Sequence, residues 1–420
     1  MAQTHAPGRN WAGNYTYQAQ KLHRPTTLEQ VQDIVAHAAN VHVLGTRHAF
    51  NDIADASELI SLEDLPANVV VNPEARTVSL GARVTYGQLA KTLDDAGLAL
   101  HTLASLPHIS VAGAVATATH GSGVTCGNLA TAVSGFEIVT SSGEHLTASR
   151  GDPDFDGMVV GLGALGVVTR ITLDVQPTYE VSQQVYEGLG WQALYDHFDE
   201  ITSSGYSVSI FTRWGETIDQ VWVKSRTDQP SRVAGDLFGA VAATVERHPI
   251  MGLDPAACTP QLGQPGPWFD RLPHFRLDHT PSSGEEIQSE YLVPRRHALE
   301  ALEAMRSLAV RTRPHLLVSE LRRVAADRLW MSTCYEEDCV AIHFTWKREP
   351  DAVQELVAHI EDALAPFEAR PHWGKVFHAN AAAIAPRYQR HADFVRLQER
   401  LDPRGAFRNA WLKARVLGDQ

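Results

Sequence analysis

At 420 residues the chain exceeds what one hydrophobic core usually serves, so two domains are expected. Its 44% hydrophobic and 20% charged residues are those of a globular enzyme, and no apolar run approaches the roughly 20 residues of a membrane-spanning helix. A formal charge of −13, with no cluster of Lys or Arg, argues against nucleic acid and anionic membrane surfaces as partners. The opening residues, Met1 to Trp11, lack the basic head and apolar run of a secretory signal, so a cytoplasmic location is expected. Cys126, Cys258, Cys334 and Cys339 form no Cys-x-x-Cys pair; Cys334 and Cys339 could meet, but buried free thiols are the expectation.

In chain order, Thr27 to Ala38 reads as a helix, with Thr27 and Gln30 as a capping box and Leu28, Val31, Ile34 and Val35 as its apolar stripe. A short strand, Val41 to Leu44, runs straight into Gly45-Thr46-Arg47-His48. Arg76 to Ala82 reads as a strand, and Thr85 to Ala96 as a helix with Thr85 and Gln88 as capping box and Gly97 as stop. Phe136 to Thr140 and His145 to Ala148 flank a Ser142-Gly143 turn, and Val167 to Val175 alternates like a half-buried strand. Beyond about residue 178 the strands lengthen: Ser207 to Trp214, Gln220 to Ser225, His315 to Arg323 and Val340 to Lys347. Helices near Arg296 to Leu308 and Asp351 to Leu364 would cover their sheet. Pro249 to Pro281, with seven prolines, reads as loop packed around this second domain.

Gly161-Leu162-Gly163-Ala164-Leu165-Gly166 matches the dinucleotide fingerprint G-x-G-x-x-G, but the β-branched, alternating residues after it leave no helix N-terminus to receive a pyrophosphate. Two other segments suit a cofactor better. Gly45 to Asn51 leaves a strand through glycine into small and polar residues, presenting successive backbone N–H groups to an anion. Ser110 to Gly123 is small throughout apart from Val111, Val115 and His120, so a flat cofactor can approach its backbone. Either loop alone is as consistent with a tight turn.

Together, in this order and separation, they resemble the vanillyl-alcohol-oxidase (PCMH) type of FAD-binding domain. Within that superfamily the chain is similar to the alditol (xylitol) oxidases, related to sugar-lactone oxidoreductases. The similar stretches are Asn10-Trp11-Ala12-Gly13-Asn14, Ala104 to Ser110, Gln288-Ser289-Glu290-Tyr291-Leu292, His343-Phe344-Thr345-Trp346 and Arg370-Pro371-His372-Trp373-Gly374-Lys375. The resemblance implies an α+β fold in two domains, an FAD-binding domain over 1–178 and a cap on a mixed or antiparallel sheet flanked by helices over 179–375. A C-terminal segment, 376–420, would return to the first domain. FAD would meet Val43, Leu44, Gly45, Thr46, Arg47, His48, Ala49, Ser105, Ser110, Gly113, Ala114, Val115, Ala116, Thr119, His120, Gly121, Val167 and His372, with His48 as its covalent attachment. One departure is visible, since the family commonly has glycine where Arg47 stands. No metal is implied, and the 20 histidines include no His-Glu-x-x-His.

Strand alternation bears on the substrate site independently. Glu320 and Arg322 share one face of their strand, opposite Leu317, Ser319 and Leu321; His343 and Thr345 lie opposite Val340, Ile342, Phe344 and Trp346. Alone, such pairs fit an ordinary salt bridge on a solvated sheet. By resemblance, Ser105, Glu320, Arg322, Thr345 and Lys375 bind polyol hydroxyls, His343 takes the hydroxyl proton while hydride leaves C1 for flavin N5, and Arg322 or Lys375 lowers the alcohol's pKa. Lys375 could instead face the flavin N1 locus, and Ala104 is a candidate for oxygen access. The implied reaction oxidises an alditol with O2 to an aldehyde and peroxide in a monomeric enzyme; a lactone oxidase or dehydrogenase is the alternative.

Overall fold

A computed structural model describes residues 7–230, 236–279 and 282–418, so Met1 to Ala6 and Pro281 of the readings above lie outside the described residues. The fold is α+β in two domains. Near the N-terminus three short parallel strands, Lys21–His23, Glu58–Ile60 and Val41–Val43, form a sheet with Glu58–Ile60 in the middle. Helix Leu28–His37 buries Val31 and Val35. Thr27 caps it by accepting from the Gln30 amide, but the Gln30 side chain accepts from the Thr26 amide at 2.8 Å instead of closing the expected box on Thr27. Helix Tyr86–Asp95 does form its complete Thr85–Gln88 box, and Gly97, at φ +72°, ends it.

Five antiparallel strands follow in the order Val70–Asn72, Thr77–Gly81, Val167–Asp174, Val133–Val139 and His145–Ser149. Gly161 to Gly166 leads directly into the strand Val167–Asp174, so no helix begins there.

The large sheet of the second half is antiparallel at every pairing. Its order is Val241–Ala242, Glu180–Gly190, Thr217–Arg226, Ser207–Thr212, Leu316–Val324, Cys339–Lys347, Glu286–Pro294 and Arg370–Pro371. Two of these strands, Glu180–Gly190 and Glu286–Pro294, escape a reading by hydrophobicity because Glu and Gln occupy positions that other strands give to apolar residues. Helices Ala298–Ser307 and Pro350–Leu364 pack on Glu286–Pro294. Beneath the sheet, aromatic rings stack in sequence: Trp346 on Phe344 (5.1 Å), Phe344 on Trp214 (6.2 Å), Trp214 on Trp191 (5.7 Å). Burying an indole requires a partner for its N–H. Ser319 and Ser289 supply it, accepting from Trp214 and Trp346 at 2.8 and 2.9 Å. With this face dry and satisfied, the opposite face is left for polar groups.

The last segment crosses back to the first strands. The Val41 amide donates to the Ala406 carbonyl, His42 Nε2 to the Phe407 carbonyl, and Arg404 to the carbonyls of Ala36 and Ala38. Asn409, buried, accepts from the Leu412 amide and donates to the carbonyls of Ile53 and Asp55 at 2.8 and 2.7 Å. Asn409→Ala strands all three groups. A loss of about 2–4 kcal/mol is expected, read as a lower urea midpoint at unchanged slope.

Candidate active site

A cavity of about 480 Å³ lies where the loop after Val41–Val43, the small-residue stretch and the 161–166 loop face the polar side of the large sheet. The stretch from Ser110 holds the short helix Val111–Ala116. Close packing explains its small residues: a Cβ added at Gly113 would stand 2.8 Å from Ser110 Oγ, and one at Gly45 3.1 Å from the same atom. The Ser110 amide donates to Thr46 Oγ1 at 3.1 Å, joining the two loops. Val43 to Ala49, Ala104, Ser105, Ser110, Gly113 to Ala116, Thr119, His120 and His372 all line the cavity, as do Gly161, Leu162, Gly163 and Gly166. Gly121 and Val167 do not. A Cβ at Gly121 would meet the Leu103 carbonyl and Thr102 Oγ1 at 2.5 Å, while Val167 is buried with Val31, Val35 and Phe407.

His48 lines this cavity with both ring nitrogens buried and without a hydrogen-bond partner. Burial, assisted by His108, lowers its pKa to about 4 against the opposing pull of the Thr46 backbone. The ring is therefore neutral at pH 7.

On the sheet side, Cα register sets three polar residues on one rung: Glu290 is paired with His343, and His343 with Glu320. Gln288 pairs with Thr345 on the next. Arg322 shares the face of Glu320; a register shift between Leu316 and Val318 takes Leu317 out of the expected alternation, and it packs with the cluster of Val318 and Phe211. Glu290, 1% exposed, is the hub. Arg322 Nη2 donates to its Oε1 at 2.8 Å, Lys375 Nζ donates to Oε2, and His120 Nε2 lies 3.2 Å from Oε1. Burial alone would raise the carboxyl's pKa, but Lys375, Arg322 and His120 hold it well below the usual range.

Lys375 Nζ also donates to His343 Nδ1 at 2.7 Å, and His343 Nε2 meets Thr345 Oγ1 at 3.0 Å. Burial and the neighbouring Lys375 lower the His343 pKa to about 4, and burial pulls Lys375 below its ordinary value. Arg322 Nη1 reaches Ser105 Oγ at 3.5 Å. The predicted Ser105, Glu320, Arg322, His343, Thr345 and Lys375 thus converge on one cavity wall.

Two charged or titratable residues of the wall were not among the site residues read from the sequence. One is Glu290, visible in retrospect because Gln288 and Glu290 alternate with Ile287, Ser289 and Tyr291. The other is His274, from the proline-rich segment, whose Nε2 lies 2.8 Å from Glu320 Oε1. Burial lowers its pKa to about 4, so the neutral ring donates to the carboxylate. No local signal marks it. Lys224, fully buried, fastens the preceding turn by donating to the carbonyls of Arg271, Leu272 and Pro273 at 2.7, 2.7 and 2.8 Å. The amides of His274 and Phe275 then both donate to the Ser105 carbonyl.

Ligand atoms of His120, Glu290 and His372 fall within 4.8 Å of one another. Both Glu290 oxygens already face a cation, Arg322 on one and Lys375 on the other, so a metal ion there would be a third positive charge on one carboxylate.

The family described as "FAD binding domain" matches residues 19–149, and that described as "D-arabinono-1,4-lactone oxidase" matches residues 283–415. Alditol oxidase of Streptomyces sp. is 48% identical over 409 residues, spanning 96% of this chain and 97% of its own. The chain belongs to the alditol oxidase family. L-gulono-1,4-lactone dehydrogenase of Mycobacterium tuberculosis is 28% identical over 97% of this chain and 98% of its own. In fold the chain is similar to cholesterol oxidase from B. sterolicum, with a TM-score of 0.77 at 14% identity over 99% and 100% of the two chains.

The cofactor of this family is FAD, and the residues present fit it. Gly45 and Gly113 keep the cavity floor free of side chains, and the buried, unpartnered nitrogens of His48 face a group the protein itself does not supply. Val43 to Ala49 and Ser110 to Ala116 would hold it.

His42, His274 and His343 are each lowered to about 4, chiefly by burial, against about 6.5 in an unfolded chain. Between those values the unfolded state binds more protons, so stability rises with pH. The contribution is complete above about 6.5 and is lost as pH falls towards 4. Glu290 and Glu320 stay ionised through this window and do not offset it; Asp327, which burial raises to about 6, opposes it, one group against three. The melting temperature should fall steadily from pH 7 to pH 4.5; a flat profile would mean that these rings ionise freely in the folded state.

Proposed function

We propose that the chain oxidises the terminal primary alcohol of alditols such as xylitol and sorbitol to the aldehyde, with O2 as acceptor and H2O2 as second product. The observation that carries this reading is the rung Glu290–His343–Glu320, flanked by Arg322 and Lys375, on one wall of the cavity that the FAD-binding loops close on the other. FAD, held by Val43 to Ala49 and Ser110 to Ala116, would supply the hydride acceptor and the route of electrons to oxygen.

Polyol hydroxyls both donate and accept, so a site for them needs carboxylate, cation and hydroxyl groups at several points. Glu320 accepts, oriented by His274. Ser105 and Thr345 contribute hydroxyls, and Arg322 and Lys375 donate. Two carboxylates and two cations leave the wall near neutrality, which suits an uncharged substrate. Before substrate arrives Lys375 occupies His343 Nδ1. A substrate hydroxyl displacing it comes to lie against both groups: the ammonium lowers the hydroxyl pKa, and the neutral imidazole takes the proton. His343 is then the base, Arg322 and Lys375 its electrostatic partners.

In this reading 1–178 bind FAD, 179–375 form the cap, and 376–420 belong with the first part, supported by the hydrogen bonds of Ala406, Phe407 and Asn409 to that region. The enzyme works as a monomer in the cytoplasm; its four cysteines are buried and unpaired, and no helix among the described residues is long and apolar enough to cross a membrane. A lactone oxidase on the same fold is the rival, less favoured by 28% identity against 48%.

Oxygen uptake on xylitol, sorbitol and glycerol, set against gulono- and galactono-lactone, separates the two. Alditols should be the faster substrates, and a preference for lactone overturns the reading. His343→Ala should lower kcat by about 10²- to 10⁴-fold; turnover at the wild-type rate would remove His343 from the mechanism.

A further inference from the structure

The stretch Asn10–Asn14 takes no part in the cavity wall, yet it grips the loop that carries His48. The Trp11 amide donates to the Arg47 carbonyl at 2.8 Å, Asn10 Nδ2 to the Ala49 carbonyl at 2.9 Å, and Asn14 Nδ2 to the Phe50 carbonyl at 2.8 Å. Asn10 Nδ2 also donates to Asn14 Oδ1, and its Oδ1 accepts from the Tyr15 amide, so the hook is tied to itself. Three carbonyls of one short loop are thereby held from a single side.

Arg47 explains the need for such a grip. It stands at φ +64°, in the left-handed region that glycine enters without strain and that the family commonly fills with glycine. Its carbonyl is held by the Trp11 amide, and its Nη1 donates to the Pro7 carbonyl at 2.6 Å.

The Trp11 indole then lies over the His48 imidazole, with centroids 5.6 Å apart and planes inclined by 19°, while Phe50 meets the indole edge-on at 6.4 Å. A histidine ring is usually oriented by a hydrogen bond to one nitrogen while the other works. Neither His48 nitrogen has a partner in hydrogen-bond geometry, although the Thr46 backbone lies close enough to favour the charged ring. Among the described residues Trp11 is the ring stacked on it, a contact that favours one plane of the imidazole.

We propose that Trp11 is a positioning residue for covalent flavin attachment: by stacking on His48 it presents a ring nitrogen to the flavin's ring methyl carbon. The inference rests on the reading of His48 as the attachment point. In the attachment a nitrogen–carbon bond replaces one methyl C–H bond. The methyl proton is released, the electron pair of that C–H bond enters the flavin ring and passes to O2, and the imidazole N–H proton completes H2O2. A neutral imidazole is the competent partner because its lone pair is free, and burial keeps the ring neutral.

The test measures acid-stable flavin, not turnover. Full-length wild type, Trp11→Phe and Trp11→Leu are purified with FAD supplied; total bound flavin is read by absorbance, and the share that stays with the acid-precipitated protein is read again. Trp11→Phe keeps a ring and should retain the wild-type share. Trp11→Leu keeps apolar bulk without a ring, and its acid-stable share should fall at least fivefold at unchanged total flavin and melting temperature. Equal shares in the Leu and Phe variants overturn the proposal. Trp11→Met gives the same comparison if the Leu variant does not fold. A wild-type protein whose flavin all dissolves in acid is a different result, and overturns the attachment at His48 itself.

Discussion

The Glu290 carboxylate is buried, only 1% exposed, so its charge is met chiefly inside the protein. Arg322 meets it from two strands away, across Cys339–Lys347, and Lys375 from the turn after Arg370–Pro371. That requirement propagates. The 373–375 turn is itself held by the first domain: Asn51 Nδ2 donates to the carbonyls of Trp373 and Lys375, both at 2.8 Å, and the Phe50 amide donates to the Gly374 carbonyl. Phe50 and Asn51 end the loop that carries His48. One continuous set of contacts therefore joins the buried carboxylate of the substrate wall to the cofactor loop, and neither end of the site is placed without the other.

Burial also decides which groups in this cavity carry charge. Glu290 and Glu320 remain ionised because cations or ring N–H donors lie within hydrogen-bond reach. His48, His274 and His343 are neutral because desolvation outweighs the charges around them. Neutral imidazoles beside balanced ion pairs give a wall that can accept a proton without already holding one. The cations are already in place when substrate arrives, so little reorganisation is needed at the moment of reaction.

Support for the wall comes from regions that carry no chemistry. The stacked indoles under the sheet satisfy their N–H groups on Ser319 and Ser289, which fixes that face as interior and turns Glu320, Arg322, His343 and Thr345 to the cavity. Lys224 spends its ammonium on three carbonyls of the turn that delivers His274. Both devices use buried polar groups that are costly unless satisfied, and so permit few alternative arrangements.

Features written in adjacent residues were legible in the sequence. The Thr85–Gln88 cap, the period-two patterns that set Glu320 with Arg322 and His343 with Thr345, and the exclusion of the 161–166 glycines from a Rossmann role each depend on neighbours within a few positions. Even there, Gln30 turned to Thr26 instead of Thr27, because a one-residue shift costs little in an exposed first turn. Tertiary structure alone decided the rest. It set Glu290, His343 and Glu320 on one rung, brought His274 from a proline-rich segment onto Glu320, and turned Gly121 and Val167 from the cavity. It also laid Trp11 over His48, 37 positions later in the chain. Periodicity states which face of a strand a side chain occupies, but register between strands distant in sequence is set by the packing of whole sheets, which no local pattern encodes.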